Sequence, residues 1–228
     1  MSTPADGHGP TPSYLRPLAA RAADGRDVLL DRGLDRRPDV DGPVRRSAVL
    51  VLVAGHELDG AALALEERGH GLRSQPGQFS LPGGGVEPAD ADLAATAVRE
   101  AREETGLDPA AVRVLGPFAP VAMPWRSQQV TPVLAWAPRV PELGPTATGE
   151  VERVVWAPLV GPGSLTDPAH HARGLYGGRE VGPVFDLPGD AFVWGFTAMI
   201  LEQVLTGLGL PPVAADAPVR EIPAERRR

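Results

Sequence analysis

Residues 81–107 constrain the fold of this chain more than any other segment. They run from three consecutive glycines, Gly83–Gly85, into a stretch whose apolar residues recur with the period of an amphipathic helix. Asp92 is a residue type that caps helix N-termini, and Gly106 stands where a glycine ends many helices. The pattern therefore predicts a helix over Asp92–Thr105 that follows a glycine-rich loop.

Apolar runs on both sides of this helix predict β-strands. Ser47–Ala54 is continuously apolar, as is typical of a buried strand, and Ala61–Glu66 follows as its hairpin partner across a turn at Asp59-Gly60. A second amphipathic helix is predicted over Phe192–Leu208. Further strands are predicted over Val112–Pro117, Gln129–Trp136 and Glu150–Trp156, and a glycine- and histidine-rich loop over Gly161–Gly182. This order predicts an α/β fold with helices packed on a mixed sheet.

The two ends of the chain differ in composition from its middle. Residues 1–45 are rich in Pro, Gly, Asp and Arg without a sustained period, which predicts a mobile N-terminal extension with one short helix around Tyr14–Ala23. Residues 46–210 hold the predicted strands and helices and form one expected domain. Residues 211–228 return to Pro, Ala and Arg and are expected to be a flexible C-terminal tail.

Composition excludes several classes of site. The chain has no cysteine, which excludes a disulfide scaffold, thiolate-bound zinc, iron–sulfur clusters and thiol nucleophiles. A net charge of −7 makes it a poor general binder of nucleic acid. It has no run of 18 apolar residues and no secretory h-region, so we expect a cytoplasmic protein without a membrane partner. The sequence leaves open whether the chain forms a homodimer.

Three carboxylates share one arc of the first predicted helix. At 100° per residue, Glu100, Glu103 and Glu104 lie beside the apolar face, where like charges repel and the helix dipole disfavours anions. One interpretation is a solvated acidic face paired with Arg99. The other is a site for a divalent cation, because Mg²⁺ takes carboxylates together with substrate phosphates. The triple glycine favours the second, since it can bring bare backbone close to a metal or a phosphate.

Residues 99–107, REAREETGL, resemble the core of the Nudix box, REUxEExGU, in which U is aliphatic. The resemblance to the Nudix hydrolases implies an α/β/α sandwich around a mixed sheet and the cleavage of a substituted diphosphate with Mg²⁺ or Mn²⁺. It implies that Arg99 orients the carboxylates. Carried over by position, the metal ligands would be the side chains of Glu100, Glu103 and Glu104 and a carbonyl of Gly83 or Gly84. Glu103 and Glu104 are also candidates for catalytic residues.

One position departs from the general box. The acid expected eight residues before Arg99 is replaced by Ala91. Counted forward from Gly84 instead, its place falls on Asp90, so the segment between loop and helix is one residue longer than in the general pattern.

A narrower resemblance is to the coenzyme A pyrophosphatase branch, whose upstream signature approximates LLTxRSxxxRxxxGxxxFPGG. Arg68, Arg73, Gly77 and residues 81–84 occur at the same spacings, and Glu66 replaces the Thr. Segments 82–104, 130–133, 150–159 and 193–198 also fit the branch. The resemblance implies hydrolysis of coenzyme A or a derivative to adenosine 3′,5′-bisphosphate and 4′-phosphopantetheine.

Several residues outside the helix are candidates for substrate binding and catalysis. Arg68 and Arg73 are candidates for binding substrate phosphates, and Trp125 for lining the pantetheine arm. Glu150 is the candidate for a further metal ligand or general base, and Glu152 competes by sequence proximity. Two alternatives remain: a Nudix diphosphatase for ADP-ribose or another nucleoside diphosphate derivative, and a catalytically silent Nudix module that binds a nucleotide.

Overall fold

The computed structural model describes residues 8–26, 44–123 and 127–227, so Trp125 lies outside the described residues. The helices are α1 (Arg16–Ala23), α2 (Leu93–Thr105) and α3 (Gly195–Gly207). The main sheet contains β1 (Arg45–Ala54), β2 (Ala62–Arg68), β3 (Phe79–Ser80), β4 (Gly83–Gly85), β5 (Arg113–Pro117), β6 (Val121–Met123), β7 (Gln128–Ala137) and β8 (Val151–Pro158). A second sheet contains β9 (His171–Tyr176), β10 (Arg179–Leu187), β11 (Ala191–Val193) and β12 (Val219–Glu221).

The main sheet is mixed and has β1 at its centre. β1 runs parallel to β7 along its whole length and antiparallel to β2 and β4. Alternate residues of β1 face opposite sides of the sheet. Leu50 and Leu52 pack with α2, whereas Val51 and Val53 belong to the core that also holds buried residues of α1 and α3. Helices therefore cover both faces, and the predicted α/β sandwich is confirmed.

Helix α2 begins and ends where the sequence predicts. The Asp92 carboxylate accepts a hydrogen bond of 2.8 Å from the Ala95 N–H, and Gly106 ends the helix in the left-handed conformation with φ 70°. Ala97 and Ala101 are buried against the sheet, and their small side chains let the helix backbone lie close to it. This close packing brings the acidic arc of α2 to β4.

The chain ends are more ordered than their composition predicts. Leu15 and Leu18 are buried in the main core, where a Cβ added to Gly207 would lie 2.6 Å from Leu18 Cδ1. At the other end, β12 pairs in parallel with β9, and Ile222 is fully buried. The short helix predicted around Tyr14–Ala23 is confirmed as α1. The described parts of both ends pack on the domain through a few buried side chains, which the surrounding polar residues did not predict.

The stretch Gly161–Gly182, predicted to be a loop, forms strands in its second half. This part of the prediction is wrong, because the stretch contains β9 and the start of β10. A Cβ added to Gly174 would lie 3.0 to 3.2 Å from side-chain atoms of Ile222, Val184 and Val181, so a glycine here allows close packing of the strand and does not mark a loop.

None of the described helices has both the length and the apolar character needed to cross a membrane.

The packing of α1 leads to a first prediction. Leu18→Ala is expected to lower the free energy of unfolding by about 3 kcal/mol, because it leaves a cavity at a site 1% exposed. Arg16→Ala, at an exposed position of the same helix, should change it by less than about 0.5 kcal/mol. Urea denaturation of the full chain measures both. Equal, small effects would mean that α1 is not part of the cooperative core.

Candidate active site

The glycine segment β4 lies between the start of β1 and the acidic arc of α2. Gly83, Gly84 and Gly85 pair with Val49, Ala48 and Ser47 of β1. A Cβ on Gly83 would lie 2.3 Å from the Ala48 carbonyl oxygen, and one on Gly84 would lie 2.5 Å from Glu100 Oε1. The backbone of β1 therefore excludes a side chain at Gly83, and a side chain at Gly84 would displace the carboxylate of Glu100.

Arg99 links the glycine segment to two of the acids of α2. Its Nε donates to Asp90 Oδ1 at 2.9 Å, and its Nη2 donates to the Gly85 carbonyl at 2.8 Å and to Glu100 Oε1 at 3.0 Å. Its Nη1 reaches Glu103 Oε2 at 3.2 Å. The guanidinium beside Asp90 lowers the pKa of that carboxyl and holds it ionised. Arg99 therefore fixes the orientation of both Glu100 and Glu103.

Asp90 takes the place of the acid that the general box has eight residues before its arginine. Besides Arg99, it accepts hydrogen bonds to Oδ2 from Thr96 Oγ1 at 2.8 Å and from the Glu87 N–H at 2.9 Å. The extra residue between β4 and α2 thus places Asp90 against Arg99, as counting forward from Gly84 predicts.

Glu104 is the buried acid of the arc. Its side chain faces β4, where Oε2 accepts a 2.8 Å hydrogen bond from the Gly83 N–H, and the residue is 5% exposed. Burial, and next the neighbouring carboxyl of Glu66, raise the pKa of Glu104 well above its usual range. Glu103, by contrast, is exposed at the surface of α2.

Glu66, on β2, is an acid of this site that the sequence analysis did not choose. It is 1% exposed, and Ser80 Oγ donates to its Oε1 at 3.1 Å. Within the described parts of the chain, no donor reaches its buried Oε2. Burial raises the pKa of Glu66 as well. The signal available in the sequence was the pair Glu66-Glu67 at the end of an apolar strand, where one of two adjacent residues must face α2.

Glu100 and Glu150 approach each other from different elements. Burial is the main cause that raises the pKa of Glu100, and the charges of Glu103 and Glu150 add to it. Glu150 is exposed just before β8, and its carbonyl accepts a 2.8 Å hydrogen bond from the Gly69 N–H. The fold thus brings Glu150 near the acids of α2, which supports its choice over Glu152, an exposed residue of β8.

The two candidate arginines lie in different surroundings. The charge of Arg68, at the end of β2, lowers the pKa values of both Glu66 and Glu104. It is therefore beside the buried acids. Arg73 is exposed in the loop between β2 and β3. Arg68 thus lies beside the acids, whereas Arg73 is open to solvent.

A cavity of about 290 Å³ opens beside the glycine segment. Loop residues Gln75 and Gln78 line one part of it, and the start of α3, Trp194–Thr197, lines another. The remaining lining residues are Ser47, Val49, Ser80, Leu81, Gly83, Gly84, Met123, Gln128 and Val130. The Trp194 Nε1–H is buried and meets no acceptor in the described part of the chain. The lining is uncharged, with donors and acceptors next to apolar surface.

The chemistry of the acidic residues fits a divalent cation. Carboxylates and backbone carbonyls are hard oxygen donors, and one buried oxygen of Glu66 meets no N–H or hydroxyl donor among the described residues. In residues 8–26, 44–123 and 127–227, no three acid or histidine side chains are already arranged to hold a metal ion. Arg99 and the Gly83 N–H bind carboxylate oxygens of Glu100, Glu103 and Glu104 in this arrangement.

Comparisons with known proteins identify the family. A model of the NUDIX domain matches residues 44–173. The chain is 34% identical over 196 residues to the uncharacterized Nudix hydrolase NudL of Shigella sonnei, a match that covers 82% of this chain and 98% of that protein. NudL of Citrobacter koseri is 35% identical over 191 residues, with 82% and 96% covered.

A crystal structure of a NUDIX hydrolase from Nitrosomonas europaea aligns with a TM-score of 0.48 and 14% identity over 80% of this chain and 82% of that one. The assignment depends on the sequence matches, which cover most of the chain. The chain belongs to the Nudix family and is a Nudix pyrophosphohydrolase, in a family that uses divalent metal ions to act on small nucleotide derivatives.

Proposed function

We propose that this Nudix hydrolase cleaves the diphosphate of coenzyme A or a derivative, with Mg²⁺ or Mn²⁺. The cavity beside the glycine segment is the observation that carries the proposal. It is lined by the loop before β3 and by the start of α3, which are more than a hundred residues apart in sequence. Both segments resemble the coenzyme A pyrophosphatase branch. The unpaired Trp194 Nε1–H supports an occupant with amide carbonyls, which a pantetheine arm has.

The acids and glycines would hold the cation. In this proposal Glu100, Glu103 and Glu104 are ligands together with a carbonyl of Gly83 or Gly84. A bound divalent cation neutralises charge on the diphosphate and lowers the pKa of water. Arg99, through its contacts with the carboxylates, is the positioning residue of this set.

The remaining residues have roles at the substrate. Glu150, exposed near Glu100, is the general base that takes a proton from the attacking water. Water adds to one phosphorus, and the bridging oxygen leaves with the other phosphate, which gives adenosine 3′,5′-bisphosphate and 4′-phosphopantetheine. Arg68, beside the buried acids, contacts the diphosphate. Arg73, in the exposed loop, contacts the 3′-phosphate.

A substrate comparison tests the proposal. Coenzyme A, acetyl-coenzyme A, dephospho-coenzyme A and ADP-ribose are hydrolysed side by side with Mg²⁺ and with Mn²⁺, and kcat/KM is measured for each. We expect coenzyme A or its acetyl form to exceed dephospho-coenzyme A by about ten-fold, since a charged hydrogen bond to the 3′-phosphate contributes roughly 1.5–3 kcal/mol. Faster turnover of ADP-ribose would contradict the proposed substrate while leaving the Nudix chemistry in place.

The role of Arg73 leads to a second prediction. Arg73→Gln is expected to lower kcat/KM for coenzyme A about ten-fold and to leave that for dephospho-coenzyme A within about two-fold of wild type. Arg139→Gln, at another exposed arginine, is the control and should alter neither. Steady-state kinetics with both substrates measure the difference. An equal loss on both substrates would show that Arg73 does not bind the 3′-phosphate.

A further inference from the structure

Glu66 is a buried carboxylate whose hydrogen bonds are incomplete. β2 holds it between Ser80 of β3 and Val154 of β8. Ser80 Oγ donates to Oε1, whereas the buried Oε2 meets no N–H or hydroxyl donor among the residues that the structure describes. A side-chain hydrogen bond joins Glu66 to the carboxyl of Glu104. A buried carboxyl whose only other neighbour is a second carboxyl is unfavourable once both ionise, so its retention at this position calls for a ligand.

Arg68 does not supply the missing partner. Its charge is near enough to act on Glu66 and Glu104, but its Nε is itself buried without an acceptor in the described part of the chain. The ion pair that would satisfy both groups is therefore not formed. Glu66 is left with the carboxyl of Glu104 as its neighbour.

Glu104 is the neighbour that Glu66 faces. The two carboxyl groups interact directly, and the Gly83 N–H satisfies only Oε2 of Glu104. Two carboxyl groups in contact need a positive charge or a shared proton between them. The coenzyme A pyrophosphatase signature has a neutral Thr where this chain has Glu66, so this chain carries one more carboxylate at the position.

We propose that Glu66 is an additional ligand of the divalent cation and contributes Oε2 beside Glu104. The inference rests on the proposed function, in which the acids of α2 hold that cation. A hard cation such as Mg²⁺ or Mn²⁺ takes several oxygen ligands, and Glu66 brings a buried carboxyl oxygen beside Glu104. The added carboxylate strengthens cation binding relative to a site with Thr.

Mn²⁺ binding to the full chain without substrate tests this ligand. Free Mn²⁺ is followed by electron paramagnetic resonance in titrations of wild type, Glu66→Gln and Glu66→Thr, the last of which restores the residue of the signature. We expect both variants to bind Mn²⁺ about ten- to a hundred-fold more weakly than wild type. Without metal, Glu66→Gln should melt at the same temperature as wild type or higher, because its amide can donate to Glu104.

Glu67→Gln is the matched control. Glu67 is the next residue of β2, is also buried, and is paired with Arg153 on the other face of the sheet. Its replacement should lower the melting temperature and leave the Mn²⁺ affinity within about two-fold of wild type. A purely structural Glu66 would behave like Glu67.

The outcomes separate the two proposals. Wild-type affinity in both Glu66 variants would overturn the ligand role of Glu66 and leave the metal site of α2 standing. An equal loss of affinity in the Glu67 control would also overturn that role. Absence of Mn²⁺ binding by the wild-type chain would overturn the proposed metal site itself. Weakened binding in Glu66→Gln and Glu66→Thr alone supports the inference.

Discussion

Replacing Glu104 with Gln is expected to lower kcat for diphosphate hydrolysis by about 100-fold or more. Cation binding supplies several kcal/mol of charge stabilisation in the transition state, and each 1.36 kcal/mol is a factor of ten in rate. Glu104 is the buried acid held by the Gly83 N–H, and a neutral amide there cannot ionise to bind the cation. Steady-state hydrolysis of coenzyme A at saturating Mg²⁺ measures the effect.

Glu57→Gln, at an exposed acid by the hairpin after β1, is the control and should keep wild-type activity. Unchanged kcat in Glu104→Gln would contradict the assigned role.

The same substitution has an expected effect on stability. Burial raises the pKa of Glu104 to about 9, so between pH 5 and 9 the folded chain holds a proton that the unfolded chain releases. The unfolded state binds fewer protons in that window, and the metal-free wild type therefore loses stability as pH rises through it. The Glu104→Gln variant should lose less stability than the wild type over the same pH range. Urea denaturation in a chelator at several pH values checks this slope.

Gly84→Ala is expected to lower kcat/KM by about 100-fold, since a displacement of about 1 Å in a site can cost that much. A Cβ at this position would lie 2.5 Å from Glu100 Oε1 and 2.6 Å from its Cδ, so Glu100 or β4 must move. Gly85→Ala is a closely matched control, because its added Cβ meets nothing within 4 Å. It should stay within about two-fold of wild type.

Steady-state kinetics and thermal unfolding of both glycine variants measure this difference. Similar activity in both would mean that the contact between β4 and Glu100 does not matter for catalysis.

Helix α2 and its carboxylates could be predicted because residues close together in the sequence determine them. Asp92, Gly106 and the helical period define α2 from residues near each other in the chain, and these also place Glu100, Glu103 and Glu104 on one arc. The position of Asp90 follows from the same segment, since Arg99 is only nine residues away. Helix caps and periodicity are local properties, and sequence reports them directly.

Glu66 could not be predicted in the same way. It belongs to an apolar strand, and its importance comes from Glu104, which lies far along the chain and reaches it only when α2 packs on the sheet. Compared with the signature, the sequence shows only that Glu66 replaces a Thr. The contact with Glu104 in the folded chain shows that this replacement places two carboxyl groups side by side.

The chain ends and the second sheet were missed for a related reason. The short helix around Tyr14–Ala23 was predicted and is present as α1, but the burial of Leu18 in the core was not. Ile222 is also buried, yet it stands among Pro, Ala and Arg residues that predict no regular structure. β9 contains Gly174, a residue type that favours a loop in a short window of sequence but lies against Ile222 and Val184 in the fold. Long-range packing decides these segments, and no short window of sequence contains it.

Product analysis shows whether this Nudix hydrolase cleaves the diphosphate of coenzyme A with a divalent metal. The full chain is incubated with coenzyme A and Mg²⁺, with and without excess chelator, and products are separated by chromatography and identified by mass. We expect adenosine 3′,5′-bisphosphate and 4′-phosphopantetheine in equal amounts, formed only when the metal is available. Release of inorganic phosphate with dephospho-coenzyme A, or the same products at the same rate in chelator, would contradict it.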